Sequence, residues 1–245
     1  MVLVWYHKMV QDIIQIFANI NATSGGILMI SDRSKQASAT IRDPRILNVL
    51  QGMNERRNRP DAAAFAGPGS PDPEQFSDYG FSIHPEQGDL IYLLCRAMKA
   101  TRVVDFATSV GMSAIYFAAA MRDNGGGEVI GAELVSAKVK TAYQNLAAAG
   151  LDDYVTVRVG DARETLKDVG GPVDFVLIDG WPLAEGPTLA RQVIEIMAPQ
   201  LRVGGYVLND NAEPDFLEFI RDPANGFISV TLPIKRGTEL ALKIS

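Results

Sequence analysis

Apolar positions along this chain follow two different regimes, and the change between them divides it. In residues 1–59, Ile13, Ile14 and Phe17, then Ile46, Leu47 and Leu50, fall at helical spacing. Between them Thr23–Ala39 is rich in Ser, Gly and Ala and reads as a loop. Residues 60–80, PDAAAFAGPGSPDPEQFSDYG, have the composition of a linker or mobile surface loop. From Pro85 the punctuation becomes regular. Leu90, Leu93, Leu94, Ala97 and Met98 predict an amphipathic helix. Strands over 103–107, 128–133, 154–159, 173–179 and 205–210 then alternate with helices near 112–122, 137–149, 163–168 and 188–197. In the 137–149 helix, Val139, Ala142, Tyr143 and Leu146 make the expected buried face, and Gly150 stands where a helix-ending glycine belongs.

Segments such as VDFVLID are apolar throughout, as a parallel sheet covered on both faces requires. Their alternation with helices predicts right-handed crossovers and a doubly wound α/β fold. The end of the chain breaks that rule. Phe227–Leu232 and Thr238–Ile244 are separated only by PIKRG, too short for a helical crossover, so an antiparallel hairpin is expected. The expected architecture is a mostly parallel, seven-stranded sheet ending in that hairpin, with an N-terminal helical extension. Residues 1–80 read as a helical arm and a mobile loop or lid, and residues 81–245 as the ligand-binding domain.

Composition narrows the chemistry. With 245 residues, 47% of them apolar, the chain is long enough for one sizeable α/β domain with an appendage. A net charge of −6 argues against a broad nucleic-acid footprint, and the one basic cluster, Arg56, Arg57 and Arg59, reads as a solvated helix end. The single cysteine, Cys95, lies in an apolar helical stretch and reads as a buried, inert thiol. It rules out an internal disulfide or a cysteine-based zinc cage. The apolar N-terminus lacks the marks of a signal peptide, and no apolar run reaches the roughly 20 residues that cross a bilayer. A cytoplasmic location is expected, with no membrane partner.

In an open α/β sheet, ligands sit at the carboxyl ends of the strands. Asp105 lies within the first strand, Glu133 ends the second and Asp161 follows the third. The turn after the first strand, ATSVGMS, is built of small residues, which lets a ligand approach the backbone and the positive end of the next helix. A nicotinamide dinucleotide needs a glycine-rich pyrophosphate cradle, and this turn has one glycine. S-adenosylmethionine has no phosphate, and its ammonium, ribose diol and adenine match three acids in this order. Any one such acid is equally able to cap the helix that follows it.

VVDFATSVGMSAIYFA resembles the first motif of the class I S-adenosylmethionine-dependent methyltransferases, in particular the catechol and caffeoyl-coenzyme A O-methyltransferase group and its bacterial relatives. PEQGDLIYLL, VIGAELVSAKVKTAYQNL, VRVGDARETL, VDFVLIDGW and GGYVLNDN resemble that group's further motifs in the same order, over residues 81–245. The resemblance implies that Asp105, Ala107, Ser109, Gly111 and Ser113 line the methionine end of the cofactor. Glu133 would hold the ribose, Asp161 and Ala162 would face the adenine, and Asp179 would border the same pocket. Ala107 departs from the pattern, since a glycine is usual there.

Asp179 ends the fourth strand and Asp210 and Asn211 end the fifth, a hard, oxygen-rich set suited to Mg²⁺ or Ca²⁺. In the resembling family these positions hold a divalent cation that binds two neighbouring hydroxyls of the acceptor, which makes Asp179 a catalytic residue as well. The resemblance also implies a catalytic role for Glu239, as the acid that orients an acceptor hydroxyl. Trp181 is either a wall for the acceptor ring or a hydrophobic anchor. The family's presumed base, a lysine three residues after the fourth-strand aspartate, is replaced by Pro182, and His84 is a candidate substitute.

The expected function is therefore methyl transfer to a hydroxyl of a small acceptor, with aromatic ones among the candidates, assisted by a divalent cation, and a homodimer is among the expected assemblies. Metal-independent methyl transfer to oxygen or nitrogen, and S-adenosylmethionine binding without catalysis, remain open alternatives. A nicotinamide-dependent oxidoreductase is disfavoured by the glycine-poor turn.

Overall fold

The computed structural model describes residues 37–56, 60, 71–181, 183, 185–235 and 237–245. The expectations for the helix through Phe17, for Pro182 and for residues 61–70 of the loop lie outside these residues. From Gln36 to Ser245 the chain is one compact unit. The elements are α1 (Pro44–Glu55), α2 (Pro85–Ala97), β1 (Arg102–Phe106), α3 (Met112–Asn124), β2 (Glu128–Glu133), α4 (Ser136–Ala149) and β3 (Val155–Val159). There follow α5 (Ala162–Thr165), β4 (Val173–Ile178), α6 (Leu189–Met197), β5 (Leu201–Asn209), α7 (Pro214–Arg221), β6 (Phe227–Leu232) and β7 (Thr238–Lys243).

The seven strands are ordered β3-β2-β1-β4-β5-β7-β6. The first five run parallel, and β7 runs antiparallel to both β5 and β6. The expected fold class is the observed one. Alternate residues of each strand serve opposite faces. Val103 and Val129 join the core shared with α1 to α4, whereas Val104 and Ile130 join the core shared with α5 to α7.

Helix α3 is the most enclosed element, with every residue from Met112 to Met121 buried. Small residues make this possible. At Gly88 of α2 an added Cβ would lie 2.3 Å from the Tyr116 ring of α3, so α2 and α3 meet at a distance only glycine permits. That contact turns α2. Its buried stripe is Gly88, Ile91 and Cys95, while Leu93, expected on the inner face, is 54% exposed. On α4 the expected Tyr143 is likewise displaced outward. Its hydroxyl accepts the Val157 amide at 3.0 Å, and Lys138 takes a buried place instead.

Other boundaries shift for local reasons. The expected 163–168 helix shrinks to the single turn of α5, capped by Asp161. Strand β5 starts at Leu201, earlier than expected, and α7 has no counterpart in the expected pattern. Burial places Cys95 as expected, and its thiol is pushed above the ordinary range by desolvation. No helix among the described residues is long and apolar enough to cross a membrane.

The Gly88 contact yields a stability prediction. Gly88→Ala drives a methyl group into the Tyr116 ring and forces α2 away from α3, an overpacking cost of about 1–3 kcal/mol. Urea unfolding should show a lower midpoint. An unchanged midpoint would mean that α2 is free to retreat without loss.

Candidate active site

A cavity of about 830 Å³ opens at the carboxyl ends of the parallel strands, a size suited to a nucleoside-containing ligand with a small second molecule. Its wall takes Phe106, Ala107 and Ser109 from the end of β1, and Glu133 and Leu134 from the end of β2. Asp161 and Ala162 follow β3, Asp179, Gly180 and Trp181 follow β4, and Asp210 and Asn211 follow β5. Lys235 reaches it from the turn between β6 and β7.

The turn after β1 is wound tightly. Ala107 and Ser109 have φ of 65° and 51°, in the left-handed region that costs a side-chain-bearing residue roughly 1–2 kcal/mol. The family's usual glycine at the first of these positions thus has a conformational reason. Gly111, with φ of 91°, plays a different part: an added Cβ would meet the Ala142 Cβ at 3.2 Å, so it serves the approach of α3 to α4. Glu133 ties the turn down, accepting the Ser109 amide at 2.8 Å on one oxygen and the Val135 amide at 2.9 Å on the other. Each oxygen keeps a lone pair for a ligand hydroxyl.

Asp105, Gly111 and Ser113 do not line the cavity; they stand behind the turn. Asp105 is fully buried, and neither carboxylate oxygen makes a hydrogen bond of good geometry, the Ser113 and Thr108 hydroxyls being its polar neighbours. Desolvation pushes its carboxyl up to about 6, with the Ser113 and Thr108 hydroxyls offsetting part of that rise and Glu133 adding to it. Asp161 caps α5 through the Arg163 amide at 2.9 Å and pairs with the Arg163 guanidinium at 2.5 Å, which holds its carboxyl below the ordinary range. It therefore caps a helix and lines the cavity at once.

The second polar grouping gathers at the ends of β4 and β5. Asn211 donates its amide to Asp179 at 3.2 Å and to Glu213 at 3.3 Å, while its amide oxygen accepts from the Lys235 ammonium at 3.0 Å. Lys235 also donates to one oxygen of Asp210, and Gln87 of α2 donates to the other at 2.6 Å. The Asn211 orientation follows from this network, because the flipped amide would set an NH₂ against an ammonium. Burial, and then repulsion from Asp210, hold the Asp179 carboxyl well above the ordinary range, although part of its surface faces the cavity.

Asp179, Asp210 and Asn211 are thus brought together, as the sequence implied. Their arrangement, however, does not fit a divalent ion. The Asn211 nitrogen, not its oxygen, faces Asp179, and an ammonium of the same chain already holds the Asn211 and Asp210 oxygens. Among the described residues no three His, Cys, Asp or Glu side chains converge as a metal cage.

The arrangement has relatives. A family model described as a methyltransferase domain matches residues 106–212. The chain is 30% identical to a catechol O-methyltransferase of Mycobacterium tuberculosis over 186 residues, 67% of this chain and 82% of that relative. The chain belongs to the S-adenosylmethionine-dependent O-methyltransferases of the catechol and caffeoyl-coenzyme A group. It is 29% identical to a catechol O-methyltransferase of Niastella koreensis over 145 residues, 54% of this chain and 63% of that relative. In fold it resembles an O-methyltransferase of Streptomyces achromogenes involved in tomaymycin synthesis, solved in complex with SAM. The TM-score is 0.57 at 22% identity, covering 84% of this chain and 92% of that one.

In this methyltransferase the remaining expected residues are distributed unevenly. Glu239 is not at the cavity. Alternation along β7 turns its carboxylate to the α7 side, where Arg221 pairs with it at 3.0 Å and Ser229 and Thr231 donate to it at 2.6 and 2.5 Å. A buried acid so fully partnered holds the hairpin to α7 and has no route to an acceptor. His84 caps α2 and lies outside the cavity lining. Trp181 does line it, donating to the Pro71 carbonyl at 2.7 Å and packing on Phe76 and Phe81 at centroid distances of 5.2 and 5.4 Å. Lys138 sits 4.5 Å from the Phe81 ring centre within this wall. Lys138 and Lys235 line the cavity and escaped the sequence reading, as did Gln87, which is buried behind Asp210.

The buried Asp105 carries a pH signature in the ligand-free protein. A carboxyl raised to about 6 does not penalise the fold while protonated in both states; the penalty grows as pH climbs from about 4 through 6. It reaches on the order of 3 kcal/mol above that range. Asp105→Asn should therefore melt higher than the parent at pH 7.5, with the gap closing by pH 4. A gap independent of pH would show that Asp105 is not held this way.

Proposed function

We propose that this methyltransferase acts on a hydroxyl of a small acceptor bearing an aromatic ring. The observation that carries the reading is one cavity holding two separate polar groupings. Glu133 and the turn after β1 stand on one side, and Asp179, Asp210, Asn211 and Lys235 on the other. The first grouping suits S-adenosylmethionine. Glu133 would receive the ribose hydroxyls, and Asp161 with Ala162 would border the adenine. Ala107 and Ser109 would face the methionine end, where the Ser109 hydroxyl lies buried without a partner. When bound, the cofactor would supply a methyl group on sulfur to the acceptor oxygen, with sulfur keeping the electron pair of the broken bond and the hydroxyl proton leaving to water.

The residues' contribution is placement and charge. Holding two reactants in a near-attack geometry replaces a bimolecular encounter, and much of the barrier is removed that way. The apolar share of the wall, Phe81 and Trp181 above all, favours an aromatic body and excludes water. An acceptor hydroxyl near pKa 10 is a weak nucleophile at neutral pH, so a neighbouring cation that favours its oxyanion matters. The names of the catechol O-methyltransferase relatives support an aromatic diol as the acceptor class.

Calorimetry and turnover test this in sequence. S-adenosylhomocysteine is expected to bind with one-to-one stoichiometry, and Glu133→Gln to weaken it about tenfold through loss of a charge-assisted hydrogen bond. Labelled methyl groups should then pass to phenols and catechols in an acceptor panel. Transfer to amines alone, or tight binding of a nicotinamide dinucleotide in place of S-adenosylhomocysteine, would overturn the proposal.

A further inference from the structure

We infer that Lys235 is the built-in cation of the acceptor subsite, supplying from within the chain the positive charge that a divalent metal would otherwise bring. The inference rests on the function proposed above and concerns the same cavity. Its basis is the position of one ammonium. Lys235 Nζ donates to a carboxylate oxygen of Asp210 and, at 3.0 Å, to the amide oxygen of Asn211. Those two oxygens belong to the set that the sequence suggested for a metal.

Four features fix the ammonium there. The Asp210 side chain is only 2% exposed, and Lys235 is its one ionic partner among the described residues. Withdrawing the only cation from a buried carboxylate is costly, so the pair resists opening. The turn is closed by the Gly237 amide on the Ile234 carbonyl at 3.0 Å, with Lys235 itself at φ of 60°. Gln87 holds the far oxygen of Asp210 at 2.6 Å and so aims the near one at Lys235.

The donor count then leaves a place for substrate. An ammonium has three N–H donors, and two are spent on Asp210 and Asn211. The third remains for an oxygen in the cavity that Lys235 lines. A single positive charge beside an acceptor oxygen favours its anionic form by the same electrostatics that a metal ion uses, though more weakly. A divalent ion in this place would stand against the ammonium and compete for the same oxygens.

Competition makes the inference measurable without any acceptor. Mn²⁺ is titrated into the parent protein and into Lys235→Met, with calorimetric binding of S-adenosylhomocysteine as a parallel measurement on both. The parent is expected to bind Mn²⁺ at least tenfold more weakly than Lys235→Met, in which Asp179, Asp210 and Asn211 are released. Asp210→Asn added to Lys235→Met should abolish the gain. Equal Mn²⁺ affinity in the parent and the variant, whether tight or absent, overturns the inference. If Lys235→Met fails to fold, Lys235→Gln makes the same comparison with a polar side chain of similar reach. Loss of S-adenosylhomocysteine binding in the parent would instead strike the methyltransferase proposal, so the two failures are told apart.

Discussion

Asp210 is the constraint on which the rest of the site turns. A carboxylate at the end of a central strand, almost wholly withdrawn from water, must be compensated or it destabilises the fold. Its two partners come from opposite ends of the domain: Gln87 from the first turn of α2 and Lys235 from the last turn of the sheet. The same Gln87 amide reaches Thr238 at 2.9 Å, so α2, β5 and the start of β7 are pinned around one buried acid. The position of α2 in turn depends on the glycine contact with Tyr116. Helix packing on one face of the sheet and the polar chemistry at its edge are therefore a single mechanical unit.

The direction of β7 explains why a lysine near residue 235 belongs to a site built at residues 179 and 210. Asn209 at the end of β5 is opposite Glu239 at the start of β7, because the two strands run antiparallel. The turn that precedes β7 is thereby returned to the carboxyl ends of the parallel strands. A parallel seventh strand would have delivered that turn to the opposite edge. The same pairing settles Glu239. Successive residues of a strand face opposite sides of the sheet, so Thr238 turns toward Gln87 and Glu239 toward Arg221. One residue of register separates a side chain at the site from one that braces the outer helix.

This shows what was legible in the sequence and what was not. Apolar runs bounded by turns marked all seven strands, and the short PIKRG link marked the hairpin, since these are local signals. Glu133, Asp161, Asp179, Asp210 and Asn211 were found by their position at strand ends, which in this fold is also a position at the cavity. The role of Lys235 was not local. It needed the hairpin, its pairing to β5 and the register of that pairing together, although the lysine stood in the turn already identified. Gln87 had a weaker mark, three residues into a helix begun by His84 and Pro85, where a glutamine commonly returns to the cap; its amide nitrogen then serves Asp210. The inner faces of α2 and α4 were misjudged for a physical reason: hydrophobicity alone did not foresee a glycine contact or a tyrosine hydroxyl bonded to a strand amide.

Backbone strain singles out the same region independently of any side-chain chemistry. Five described non-glycine residues adopt positive φ: Lys99, Ala107, Ser109, Ala212 and Lys235. Three of them line the cavity and a fourth, Ala212, follows Asn211 directly. Such conformations persist only where the surroundings over-determine them. Here they do: Glu133 holds Ser109, and Asp210 with Asn211 holds Lys235. The acids at the strand ends thus have two functions that are not separable. They line the cavity, and they keep the turns that carry the remaining groups in shapes those turns would not adopt alone. That coupling bears on substitution at the site. Replacing one of these acids changes the cavity wall and releases a strained turn together, so a lost activity reports on both until a neighbouring, cavity-facing residue is changed by itself.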